Sequence, residues 1–543
     1  MVNFTFYGGI GEIGGNKILL EDGARSLLLD FGFPFKRHKE FYEEYLKPRA
    51  GAGLLDPLVM GLLPPLKGIY REDLQPRNLW DSFVGHPLFR ELEGLDGVVL
   101  THAHLDHSGY ISFLRRQIPI YSSAMTAFIA KAIQDSGKAE FDQRVCYFAP
   151  VEIGTPSGWK QESCLSEASR ANEQRNFRLG DCSPTNLTEE AITFWEQGFW
   201  EKSSKQKELI VSPLGTHTQS SFDLQCFPVD HSIPGATAWA IRTSVGWVVY
   251  TGDLRFHGRQ SALTQRFVQE AAKLGPIVLI TEGTRAGDDK MTSESEVADN
   301  LLRVVNESRG KLVFADFGAR NVERLRIFLD IAKDKGVDRQ LVISAKDAYL
   351  LRVIHLLDPT CPDVARDKSI CIYQKTTGDR YPDKWQRNLY ADLNDKVLLA
   401  EDIRRSPGSY ILCFSFFDVN ELVSFHPKLV EQGAVYIYSS SEPHDEEQEI
   451  DFRRLHKWLD HFRVTKVGLP AEVEPRHWEI PAYAFGFHAS GHATGPELLD
   501  MVQQICPRFV IPIHTEKPEY FEQNLQVPGM NVIMVAPGET VRI

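Results

Sequence analysis

The chain has 543 residues, 43% of them hydrophobic and 24% charged, which asks for about two to four domains and excludes a single small module and any collagen-like, coiled-coil or disordered bias. Its formal net charge of −13 argues against a body coated with positive charge for nucleic acid, while leaving room for catalytic cations or a local basic groove. Eight cysteines without a Cys-x-x-Cys pair are too sparse for a disulfide scaffold and read as reduced.

The opening residues Met1 to Gly9 lack the basic start, apolar run and small-residue cleavage site of a secretory signal. The apolar stretch from Gly51 to Leu66 is broken by Asp56 and by Pro64-Pro65, short of the ~20 uninterrupted residues a membrane span needs. A cytoplasmic location is therefore expected. Short aliphatic runs at Ser26–Asp30, Gly97–Leu100, Trp247–Tyr250, Ile277–Ile280, Lys311–Phe314 and Phe509–Ile511 alternate with helical patterns, which predicts an α/β architecture. Several runs end in polar residues: Thr101-His102, Thr251-Gly252-Asp253, Thr281-Glu282 and His514. Strand ends are where α/β folds build sites. Residues 33–95 and 136–220 are less periodic, carry turns such as Pro64-Pro65 and Thr155-Pro156-Ser157-Gly158, and read as insertions. The segment from Trp195 to Lys202, followed by Lys205 and Lys207, either packs as an amphipathic helix, the favoured reading, or stacks bases.

The sharpest signal is Thr101-His102-Ala103-His104-Leu105-Asp106-His107. With 17 histidines in the chain, His-x-His-x-Asp-His should arise by chance roughly once in a thousand such sequences. A strand end puts His102 and His104 on one side, and the following turn brings Asp106 and His107 to a neighbouring point. Two imidazoles for one metal, and a carboxylate with an imidazole for another, is the division this spacing suggests. Each zinc takes about four ligands, so more must come from elsewhere. His231, Asp253 and His514 are the candidates. Each alone reads as a loop residue, but in this order behind the first motif they point to a dinuclear site.

These residues resemble the metallo-β-lactamase-fold nucleases of the β-CASP group, and within it the ribonuclease J family. The metal motif matches His102, His104, Asp106 and His107, the next histidine matches His231, and the bridging aspartate matches Asp253. The opening Gly8-Gly9-Ile10-Gly11-Glu12-Ile13-Gly14-Gly15-Asn16 and the strand ending in Asp30 also resemble that family, in which the equivalent of Asp30 stands behind the ligands. The motifs that set the β-CASP group apart match Glu282, His492 in His488-Ala489-Ser490-Gly491-His492, and His514. Thr494-Gly495-Pro496-Glu497 reads as a capping box, Leu498, Leu499, Val502 and Ile505 as a helical apolar face, and Phe509 to Ile513 as a strand. The cap would fix the turn that holds His492 near the metals.

The resemblance implies a metallo-β-lactamase αββα sandwich, residues 1–283 and 484–543, with a β-CASP α/β domain inserted at 284–483. Two Zn2+ ions are expected, with Mn2+ as the alternative because two carboxylates take part. His102, His104 and His231 would hold the first ion, Asp106, His107 and His514 the second, and Asp253 both. Asp106, Glu282 and His492 take catalytic roles, Glu282 orienting His492, while His488 and Ser490 contact substrate phosphate. The implied activity is hydrolysis of RNA to 5′-phosphate and 3′-hydroxyl ends. The expected mode is 5′-to-3′ exonuclease, with endonuclease action alongside as an alternative, on single-stranded, 5′-monophosphorylated RNA. A DNA-directed nuclease, a small-molecule hydrolase of the same fold and a non-catalytic scaffold are the competing readings. The C-terminal domain that many members carry is not found before Ile543, which leaves a homodimer as an open expectation.

Overall fold

The six aliphatic runs are strands in the computed structural model, over Arg25–Leu29, Gly97–Val99, Gly246–Tyr250, Val278–Glu282, Leu312–Asp316 and Phe509–Ile513. The structure describes residues 1–43, 45–137, 144–154, 164–166, 171–197, 208–318, 320–375, 383–440, 446–474 and 477–543. Two units result: Met1–Phe256 with Gln260–Asp289 and His492–Ile543, and His257–Arg259 with Lys290–Gly491.

The first unit is built on two sheets. One has eight strands in the order Gly215–Thr216, Phe177–Leu179, Ile120–Ser122, Gly97–Val99, Arg25–Leu29, Lys17–Asp22, Val2–Gly8 and Thr540–Arg542. The other has six, ordered Asp223–Pro228, Thr237–Thr243, Gly246–Tyr250, Val278–Glu282, Phe509–Ile513 and Asn531–Val532. Side chains on a strand alternate between its faces, and the second sheet buries both. Tyr250, Ile280 and Ile511 join Phe4, Leu27 and Val99 of the first sheet in one apolar cluster. Their neighbours Val249, Leu279 and Val510 enter another with Phe267, Met501 and Phe521, which come from the helices Ser261–Leu274, Gly495–Ile505 and Glu519–Asn524. Fully burying each such large side chain contributes roughly 1.5–3 kcal/mol.

This layering sets where the site forms. Gly246–Tyr250, Val278–Glu282 and Phe509–Ile513 are parallel neighbours, so their C-terminal ends lie together and deliver Asp253, Glu282 and His514. Arg25–Leu29 and Gly97–Val99 are parallel in the other sheet and deliver Asp30 and the His102 motif. The Thr101 carbonyl accepts the Thr237 amide at 3.0 Å, joining the two sheets beside that motif.

The second unit is built on a sheet of seven strands, all parallel to their neighbours, ordered Val397–Leu398, Ile370–Tyr373, Gln340–Ile343, Tyr410–Cys413, Leu312–Asp316, Ala434–Tyr438 and Thr465–Val467, with Ala471–Glu474 and His477–Glu479 pairing antiparallel beside it in sequence. Parallel sheets are covered on both faces and their strands read as continuous apolar runs. Val342, Leu412, Phe314 and Tyr436 accordingly pack with Leu455 and Leu459 of the helix Glu446–His461.

Much of the first aperiodic segment packs as well. Leu54, Leu58, Leu62, Leu63, Leu66 and Leu74 are buried. In the second, Trp195 ends the helix Glu189–Glu196, stacks 5.8 Å from Phe128 and meets Phe177 edge-on at 5.3 Å. Packing therefore accounts for Trp195; Trp200, Lys202, Lys205, Lys207 and the turn at Thr155-Pro156-Ser157-Gly158 lie outside the described residues. Among the described residues no helix is long and apolar enough to cross a membrane. Cys146, Cys361, Cys371 and Cys413 are buried free thiols.

Thr494 and Glu497 form the capping box, the Glu497 carboxylate accepting from the Thr494 amide at 2.8 Å and from its hydroxyl at 3.0 Å. Thr494→Ala is expected to cost about 1 kcal/mol, read as a lower denaturation midpoint; an unchanged midpoint would show that the cap carries no weight.

Candidate metal centre

Five histidines point ring nitrogens at one carboxylate oxygen. Asp253 Oδ2 lies 3.1 Å from His107 Nε2, 3.7 Å from both His102 Nε2 and His514 Nε2, 3.9 Å from His492 Nδ1 and 4.0 Å from His231 Nε2. The Asp253 side chain is 2% exposed. Gly252 makes this approach feasible: its φ is +55°, and a Cβ there would fall 2.7 Å from Thr101 Cβ.

Two ligand sets flank that oxygen. On one side His102 Nε2, His104 Nδ1 and His231 Nε2 converge, with N···N separations of 3.0 and 3.2 Å. Zinc–nitrogen bonds of about 2.05 Å in a tetrahedron put ligands roughly 3.3 Å apart. On the other side His107 Nε2 and His514 Nε2 stand 3.7 and 3.3 Å from Asp106 Oδ2. A third grouping that can hold an ion joins His231, Asp253 and His492.

The donor chemistry fits cations. His107 Nε2 and Asp253 Oδ1 are buried without a hydrogen-bond partner, as atoms reserved for a metal would be. The other ring nitrogens are engaged from behind, which fixes the tautomers. His107 Nδ1 meets Asp30 Oδ2 at 2.7 Å, and His514 Nδ1 meets Thr284 Oγ1 at 2.8 Å. Asp30 is itself held by the Thr101 amide and hydroxyl, both at 2.9 Å, and by the Tyr250 hydroxyl at 2.6 Å. Asp30 and His514 have φ of 55° and 51°, left-handed backbone that non-glycine residues seldom adopt and that collects at functional sites.

The electrostatics agree. Burial would raise the Asp253 carboxyl, yet the fields of His107 and His514 hold it well below the usual carboxylate range. Burial, with the neighbouring His107 and His104, holds His102 well below the ordinary imidazole range, so its lone pair is available to a ligand. Burial opposes charge on His107, but Asp253, Asp106 and Asp30 raise it well above that range. A proton and a metal cation compete for such a nitrogen.

Glu282, 1% exposed, ties two parts of the site together. One oxygen accepts the Leu254 amide at 2.7 Å, next to Asp253, and the other meets His492 Nδ1 at 2.8 Å. Burial works against charge on His492, but Glu282 and then Asp253 lift it to about 9. His488 and Ser490 belong to the second unit. There both ring nitrogens of His488 face carbonyls, Ser440 at 2.7 Å and Gly468 at 2.8 Å, and burial pushes the imidazole down to about 4. The Ser490 carbonyl lies 3.0 Å from His257 Nε2.

The structure thus gathers His102, His104, Asp106, His107, His231, Asp253 and His514, with Asp30, Glu282 and His492 behind or beside them. Thr101, Thr284 and Tyr250 were not given roles from sequence. Their positions, one residue before His102, two after Glu282 and three before Asp253, are the only signal they carry.

A family model described as the Zn-dependent metallo-hydrolase RNA specificity domain (RMMBL) matches residues 485–535, the stretch that holds His492 and His514. The chain is 24% identical to ribonuclease J of Mycolicibacterium smegmatis over 99% of this chain and 74% of that one. It is 23% identical to ribonuclease J of Mycobacterium tuberculosis H37Rv over 94% and 68%. The chain is ribonuclease J-like. A crystal structure of a protein of unknown function from Enterococcus faecalis V583 superposes with a TM-score of 0.61 at 21% identity, covering 99% of both chains. The metallo-β-lactamase/β-CASP fold expected from the motifs is the fold of this ribonuclease J-like chain.

Because Asp253 faces both ligand sets, Asp253→Ala should cost both ions, whereas His231→Ala should weaken one. Metal analysis after gel filtration reads this. Two tightly held ions in Asp253→Ala would contradict the arrangement.

Proposed function

We propose that this chain hydrolyses RNA phosphodiesters with two zinc ions, leaving 5′-phosphate and 3′-hydroxyl ends, chiefly as a 5′-to-3′ exonuclease on single-stranded, 5′-monophosphorylated RNA. The first unit is read as the metallo-β-lactamase domain and the second as the β-CASP domain. The observation that carries the reading is the pair of ligand sets sharing Asp253 Oδ2. The ribonuclease J relatives and the Zn-dependent RNA-specificity family support the substrate and metal.

Cations held by these residues would supply a low-pKa water and charge stabilisation at the scissile phosphorus. The chain supplies the rest. Asp253 keeps the two ligand sets at a fixed spacing. His492 donates a proton to the leaving oxygen, and Glu282 keeps that proton on the imidazole and fixes the ring through Nδ1. His488 and Ser490 are the residues assigned to the substrate phosphate, and for His488 that role requires one ring nitrogen to leave the Ser440 or Gly468 carbonyl it now faces.

A time course on 5′-monophosphorylated, 5′-triphosphorylated and circular RNA, beside matched DNA, tests the proposal. Rapid decay of the monophosphorylated RNA from its 5′ end supports it; equal cleavage of DNA would overturn the RNA assignment, and cleavage of circles at the same rate would overturn the exonuclease mode.

His492→Ala should keep its metal and lose roughly 10²–10⁴-fold in single-turnover cleavage, the usual size of a general acid contribution. A variant that loses zinc as His514→Ala does would contradict that role. The Glu282 charge raises His492 to about 9, so the acid form persists up to that pH and its activity falls above it. Glu282→Gln should move this alkaline limb down toward the ordinary imidazole value of about 6.5; a limb that stays in place would detach Glu282 from His492.

A further inference from the structure

We propose that the N-terminal loop Gly8–Asn16, acting through Asn16 and Tyr250, is the positioning element of the second ligand set, Asp106, His107 and His514. This rests on the two-ion reading above. Three separate contacts carry it. The Asp106 carbonyl accepts the Gly15 and Asn16 amides at 3.0 and 3.2 Å, and the His514 amide donates to the Gly9 carbonyl at 2.7 Å. Ile10 also forms a β-bridge with Thr515, the residue after His514. The third contact is a relay: Asn16 Nδ2 lies 3.1 Å from the Tyr250 hydroxyl, which donates to Asp30 Oδ2 at 2.6 Å, which in turn holds His107 Nδ1 at 2.7 Å.

The direction of that relay is forced. A tyrosine hydroxyl has one proton, and Asp30, a carboxylate already serving as acceptor, takes it. Tyr250 must then accept from its other neighbour, so Asn16 presents its NH2. The Asn16 side chain is fully buried, and its Oδ1 has no hydrogen-bond partner. A buried amide that satisfies one end at the expense of the other is placed for its contact with Tyr250 rather than for packing.

The loop's backbone is as constrained as its side chain. Gly14 has φ +83°, and a Cβ there would fall 2.8 Å from both the Cβ and Oδ2 of Asp106. Asp106 and His514, whose ligand atoms stand 3.3 Å apart, are separated by 408 residues in sequence. One short loop therefore sets the spacing of ligands that the chain itself does not couple. The first set touches that carboxylate only at one remove: His102 Nδ1 sits 3.1 Å from Thr101 Oγ1, which donates to Asp30 Oδ2 at 2.9 Å, and neither His104 nor His231 belongs to the relay.

Zinc titration of metal-stripped protein tests the assignment without reading activity. The parent should take up two ions. Asn16→Ala and Tyr250→Phe should each keep one at parental affinity and bind the other about 10–100-fold more weakly, the usual loss for a contact behind a ligand, with excess zinc restoring the second ion. Cobalt substitution, read by visible absorption, should show one site's spectrum unchanged. Both ions weakened alike, or neither weakened, would overturn the assignment while leaving the two-ion reading intact. A parent that takes up one ion would overturn both. Tyr250→Phe removes only a hydroxyl, so it decides the matter if Asn16→Ala fails to fold.

Discussion

The geometry turns on one oxygen. Asp253 Oδ2 has five imidazoles within 4.0 Å, in a site where Asp253, His102, His107 and His514 are all almost completely buried. Charges taken out of water are expensive, and attraction repays that cost only with close geometry and further hydrogen bonds. Here the hydrogen bonds come from behind, at Asp30, Thr284 and Glu282, and each leaves a lone pair or a carboxylate oxygen facing inward. The inward atoms are too alike to satisfy one another fully, since neutral imidazole nitrogens 3.0 Å apart need a proton or a cation between them. Metal binding is the function this chemistry serves best.

The sandwich exists to hold that crowding. Parallel strands in each sheet end at the same edge, so ligands from positions as distant as Asp106 and His514 meet without long loops. Residues that look like ordinary core, such as Tyr250 at the end of an apolar strand, contribute a buried hydroxyl to the support of His107. The same side chain fills the apolar layer between the sheets and donates to Asp30. Packing and ligand orientation are thus one constraint rather than two.

Much of this was legible in the sequence because the information is local. The His-x-His-x-Asp-His spacing, the glycine before Asp253 and the capping box at Thr494 are short patterns whose physics does not depend on the fold. The strands at Val278–Glu282 and Phe509–Ile513 declared themselves as aliphatic runs ending in a chemical residue. The supports were not legible. Nothing within a few residues of Asn16 shows that its amide meets Tyr250, 234 positions away. The left-handed backbone of Asp30 and His514 is likewise invisible, since both residues sit at the ends of ordinary strands. The two carbonyls that hold His488 come from loops after Tyr438 and Val467, and their convergence is a property of the second unit's sheet. The division of the chain at His257–Arg259 and again at Lys290 and Gly491 is set by packing, with no linker composition to mark it.

The most direct test of the central claim is anomalous diffraction at the zinc edge from crystals of the metal-loaded protein. The account predicts two peaks, one beside His102, His104 and His231 and one beside Asp106, His107 and His514, with Asp253 between them. A single peak, or one seated on His231, Asp253 and His492 instead, would contradict it.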